Sequence, residues 1–65
     1  MNIPANSSIN YTITKTQVTF ESSNIFSVEI GSVMTGTKII LFGRKGTAKV
    51  KNNNAFNIDV TITEV

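Results

Sequence analysis

Four carboxylates, Glu21, Glu29, Asp59 and Glu64, are the only acidic side chains of this chain. Five of its six basic ones, Lys38, Arg44, Lys45, Lys49 and Lys51, fall in one short stretch, and no acidic residue occurs from Ile30 to Ile58. A carboxylate pair can do acid and base work or hold a hard cation such as Ca2+. A basic cluster can follow a phosphate backbone or meet an acidic protein surface. Glu21, Glu29 and Asp59 fall on polar positions of alternating segments, and none of the four carboxylates shows a recognised ligand spacing, so solvated faces account for them. His and Cys are both absent. That removes Ser-His and Cys-His nucleophilic arrangements, the usual zinc ligands and disulfides. The residue types therefore predict a protein that is not an enzyme and that uses no cofactor, metal or small-molecule substrate.

Two glycine patterns bear on phosphate binding. Gly43-Arg44-Lys45-Gly46-Thr47 holds the parts of a phosphate-binding loop in the wrong order, with Lys before the second Gly and no helix after it. Gly-x-x-Gly also clamps nucleic-acid backbone in KH domains, but between two helices, and no segment here has a helical apolar period. The segment reads instead as a four-residue β-hairpin loop with solvated charges.

The elements that must position these groups are legible as alternation. Ile9, Tyr11 and Ile13 alternate with polar residues, as do Val18 and Phe20, then Phe26, Val28 and Ile30, then Ala48 and Val50. Phe56, Ile58, Val60 and Ile62 form the clearest apolar series. Period two with many Ile, Val and Thr residues favours strands over helices. Turns are expected at Ser22-Ser23-Asn24, Gly31-Ser32, Thr35-Gly36-Thr37, Gly43–Gly46 and Asn52-Asn53-Asn54. The result is one all-β domain over residues 9–65, a small antiparallel β-sandwich or partly open barrel of six to seven short strands. An extended N-terminal arm, residues 1–8, precedes it, either flexible or adding Ile3 to a neighbour's sheet edge.

One strand breaks the rule. Lys38-Ile39-Ile40-Leu41-Phe42 is apolar on both faces, which suits a central covered strand or a face that meets another subunit. The partner-facing pair is expected to be Ile39 and Leu41, and Phe42 is the one aromatic residue whose face stays ambiguous. A 65-residue chain buries roughly 60% of its unfolded surface, and without disulfide or metal it is expected to gain stability by association.

The net charge is +2 and the isoelectric point about 9.3, modest for a dedicated nucleic-acid binder. Tyr11, Phe20, Phe26 and Phe56 all fall on the apolar parity, leaving few rings on which bases could stack. The leading expectation is thus a structural or assembly module, most concretely an accessory protein that decorates or stabilises a virus particle or a similar large assembly. Its partners would be a larger protein scaffold, a homo-oligomer or both, met through Arg44, Lys45, Lys49, Lys51, Ile39, Leu41 and Ile3. The alternative is a small β-barrel binding single-stranded nucleic acid through Lys38–Lys51. Neither a secretory signal nor a membrane span is expected, which leaves the virion, another large assembly or the cytoplasm as the location.

Overall fold

Alternation turns into strand here wherever an apolar face finds cover. The computed structural model describes residues 1–65 and contains no helix. Its strands are β1 (Asn2–Ile3), β2 (Ser8–Ile13), β3 (Gln17–Ile30), β4 (Ser32–Phe42), β5 (Gly46–Lys51), β6 (Ile58–Asp59) and β7 (Thr61–Glu64). All pairings are antiparallel. They form two open sheets, one of β1 and β6 and one of five strands in the order β2-β5-β3-β4, with β7 also paired to β3.

The 14-residue β3 organises the molecule. Its first half pairs with β7, Val18 opposite Glu64 and Phe20 opposite Ile62, and its second half with β5, Val28 opposite Val50. Between them the register slips from Glu21↔Lys38 to Phe26↔Gly36, so four residues of β3 stand against Thr37 alone. An excess of residues on one strand bends it and increases its twist. The bend is why one strand can serve neighbours on both sides of the core. Ser22-Ser23-Asn24, expected as a turn, is this irregularity inside β3, and Thr35-Gly36-Thr37 lies inside the 11-residue β4 rather than in a turn. Two strands are accordingly much longer than the short ones the turn signals suggested.

The reversal at Gly31 does join paired strands, and Gly31 takes φ 75°, a left-handed conformation that glycine adopts without steric cost. Gly43–Gly46 does not form the expected hairpin. It links β4 to β5, which β3 separates in the sheet, and the Gly43 N–H is tied to the Thr16 carbonyl at 2.7 Å.

Val18, Phe20, Phe26, Val28, Ala48, Val50, Ile58 and Val60 are buried together with Ile3, Ile13, Ile39 and Leu41. Full burial of a side chain of this kind stabilises by roughly 1.5–3 kcal/mol. Phe56, placed on the apolar face of a last strand by its spacing, is instead exposed. It lies in the loop before β6, where parity no longer applies.

The N-terminal segment is extended at Asn2–Ile3, turns at Ala5 and Asn6, and lies along its own domain. Ile3 is fully buried, β1 pairs with β6, and Met1 exchanges backbone hydrogen bonds with Val60. Asn52 holds this end together. It is wholly buried, its Nδ2 donates to the carbonyls of Ile3 (3.0 Å), Pro4 (3.1 Å) and Phe56 (2.8 Å), and its Oδ1 accepts from the Asn54 N–H (2.9 Å). Asn54 in turn donates to the Ile25 carbonyl at 2.8 Å, beside the bend in β3. The Asn triplet thus ties the first residues, the end of β5, the loop after it and the bend into one unit.

A second tie joins β7 to the turn after β2. Glu64 accepts the Tyr11 hydroxyl on one oxygen and the N–H groups of Thr14 (2.9 Å) and Lys15 (3.1 Å) on the other. These donors, the Tyr11 hydroxyl first, hold the Glu64 carboxyl below its ordinary value, and the same bond, followed by burial and the Glu64 charge, pushes the Tyr11 phenol up. The Tyr11 ring meets Phe20 edge to face at 6.1 Å.

Candidate docking surface

Strand register decides where the basic residues go, and it disperses them. Lys38 stands across from Glu21, and Lys49 across from Glu29, so two of the five clustered cations have a carboxylate as cross-strand neighbour. Opposite charges in such positions attract by a few tenths to about 1 kcal/mol. Lys51 lies between Ser8 and Ser27, and Arg44 donates through Nη1 to the Ile30 carbonyl at 3.2 Å, over the Gly31 reversal. Lys45 is exposed in the connecting loop. Arg44 and Lys49 therefore gather near the Gly31 end, where Asn10, Glu29, Thr47 and Lys49 line a shallow cleft. Lys38 belongs to the opposite half of β4.

Glu21 and Asp59, far apart in sequence, line a second shallow cleft with Ser22, Ser23 and Thr61. No three carboxylates come together in the fold.

The doubly apolar strand is resolved by its neighbour. Residues directly opposite across a ladder point to the same face. Val18 and Phe20 are fully buried, and Leu41 and Ile39 stand opposite them, so Ile39 and Leu41 are core. The expected assignment of that strand is therefore reversed: Ile40 (44% exposed) and Phe42 (66%) face outward. Ile3 also lies in the core, and it is unavailable to a neighbouring sheet edge.

The outward face of this half is laid out in rows. Phe42, Gln17 and Val65 form one, the last two joined by reciprocal backbone hydrogen bonds of 2.9 and 3.3 Å; Ile40, Thr19 and Thr63 form the next; Lys38, Glu21 and Thr61 form the third. Val65 is 70% exposed. Three large apolar side chains thus sit on a Thr-lined sheet surface. Along one border of this surface, β4 pairs only with β3, which leaves the backbone of its other side open. Open edges recruit further strands, and proteins usually guard them with charges, proline or bulges. In β4 the only charged residue is Lys38, and there is no proline.

Ile40 and Phe42 could not be recognised from their own segment, whose two faces are equally apolar. The signal that would have found them is the register with Val18 and Phe20, which is set by distant pairing. No protein-family model matches the chain, and no match was found among curated proteins or among solved structures.

Proposed function

We propose that this chain is a non-enzymatic assembly module, an accessory that reinforces a virus particle or a similar large assembly by docking on its protein scaffold. The observation that carries this reading is the open β4 edge with Ile40, Phe42 and Val65 on the adjoining face. Exposed apolar side chains clustered beside unpaired backbone give an interface both area and direction. Arg44 and Lys45, exposed in the loop that leaves Phe42, would lie at its rim. Rim charges steer encounter with an acidic surface more than they add affinity.

The test is the native mass of the complex that contains the chain, together with incorporation of Phe42→Asp. Recovery in stoichiometric amounts within a large particle, with loss of incorporation in the variant, supports the proposal. Recovery only as a free chain counts against it.

A second reading, binding of single-stranded nucleic acid, is favoured by one observation. Phe42 is exposed two residues before Arg44, and Phe56 is also exposed, so rings for base stacking are present after all. Against it stand the carboxylates opposite Lys38 and Lys49 and the Arg44 bond to Ile30. Binding of a fluorescent oligonucleotide at two salt concentrations separates the two. A nucleic-acid binder loses affinity steeply with salt and loses it again in Phe42→Ala and in Arg44→Ala with Lys45→Ala.

A further inference from the structure

We infer that the strand recruited by the β4 edge is β4 of a second copy, paired antiparallel about a two-fold axis through Ile40. This rests on the interface role proposed above: the edge itself is taken by the second copy, and the outward face of Ile40, Phe42 and Val65 is left for the scaffold. Thr37 is where β4 slips against β3, so the strand is not one straight ladder. The regular stretch next to the exposed apolar face is Lys38–Phe42.

That stretch is its own complement. Turned antiparallel about Ile40, it sets Ile40 against the second copy's Ile40, Ile39 against its Leu41, and Lys38 against its Phe42. Ile39 and Leu41 already face the core, so their pairing would continue the inner layer from one copy into the other. On the outer face the two Ile40 side chains meet at the axis. Each Phe42 ring then lies across from a Lys38 ammonium, a favourable cation and aromatic arrangement.

Charge also permits the joint. The two Lys38 positions lie four residues apart along the shared ladder, about 13 Å at roughly 3.3 Å per residue, beyond the screening length at physiological salt. Each also has Glu21 as its neighbour on β3. Closed two-fold pairing additionally consumes the open edge of both copies, so growth stops at two along β4. A small chain with no Cys to form disulfides gains buried area by the same step.

The chain contains no Cys, so single cysteines report geometry without interference. Ile40→Cys, Thr37→Cys and Val33→Cys are made separately, oxidised mildly at micromolar concentration and separated under non-reducing conditions, while the parent and Ile40→Lys are examined by sedimentation. The inference requires a dimeric parent, a disulfide dimer from Ile40→Cys at least about tenfold faster than from Val33→Cys, and a monomeric Ile40→Lys, since opposed like charges and buried area lost both oppose pairing. Circular dichroism confirms that each variant keeps its strands. A parent that stays monomeric overturns the inference, as does faster cross-linking at Thr37, which would place the axis there. A monomeric chain that nevertheless enters a large particle stoichiometrically sinks the self-pairing and leaves the assembly role intact. A dimer never found in a particle does the reverse.

Discussion

Asn52 is completely buried and Phe42 is two-thirds exposed, the opposite of what side-chain polarity would assign. At the Asn52 end both polar atoms of the buried side chain have partners within the chain: three carbonyls receive Nδ2, and the backbone and side chain of Asn54 converge on Oδ1. At the β4 edge the chain provides an apolar face and an unpaired strand border but nothing of its own to cover them. Burial follows from available partners rather than from residue type. One end of the molecule is closed upon itself, and the other is left open.

The contrast is broken most directly at Asn52. Removing its amide in Asn52→Ala takes a donor from the carbonyls of Ile3, Pro4 and Phe56, of which Pro4 keeps the Ser7 N–H, and takes the acceptor from Asn54; an orphaned buried group costs about 1–3 kcal/mol. We expect a loss of about 3 kcal/mol or more, close to the whole stability of a core this small. Urea unfolding followed by circular dichroism checks this. A loss under about 1 kcal/mol would mean that the closed end does not depend on the hub.

Ile3→Ala probes the same end through packing. Ile3 is fully buried between β6 and the Asn52 amide, and truncating such a side chain costs about 2–5 kcal/mol. A value near 2–3 kcal/mol is expected, because the site lies at the margin of the domain, where the short β1 can settle into part of the space. A free, mobile arm would instead leave the unfolding midpoint unchanged. Amide exchange at Met1 to Ser8 gives an independent measure, with protection at Val60 expected to fall in the variant.

Between the two ends sits the Glu64 tie, whose contribution depends on pH. The folded carboxyl titrates below its ordinary value of 4.5, so its stabilisation is fully present above that value and fades as pH falls through the folded value. The stability gap between the parent and Glu64→Gln should therefore be wide at neutral pH and narrow in acid. Tyr11 works in the other direction, since its phenol is raised above 10.0. Its contribution is present below pH 10 and lost as pH rises through the folded value, so the gap between the parent and Tyr11→Phe should close in strong base. Gaps that stay constant with pH would show that the bond does not distinguish folded from unfolded chain.

Much of this architecture was legible because alternation is local. The inward residues of β2, β5 and both halves of β3 follow directly from period two, and the Gly31 reversal follows from a residue that tolerates positive φ. Three things were not local. Lys38–Phe42 carries no polar face, so only pairing with Val18 and Phe20 could orient it. Ser22–Asn24 has the composition of a turn because a bend within a strand needs the same conformational tolerance. The basic residues form a cluster in sequence, but β3 lies between β4 and β5 and separates Lys38 from Lys49 and Lys51.

The smallest expected effect is the most instructive about the open edge. Phe42→Thr keeps a strand-favouring residue while removing the exposed ring, and at a concentration where the chain is monomeric its stability should lie within about 0.5 kcal/mol of the parent. A surface patch retained for binding has that signature: deletion costs association and leaves the fold alone. Raising the protein concentration should then separate the two chains, because only the parent gains stability from a partner that binds the folded state. If Phe42→Thr instead destabilises the monomer by 2 kcal/mol or so, in the range of a truncated core side chain, the ring is supporting its own domain. The contrast between a closed end and an open edge would then collapse into a single continuous core.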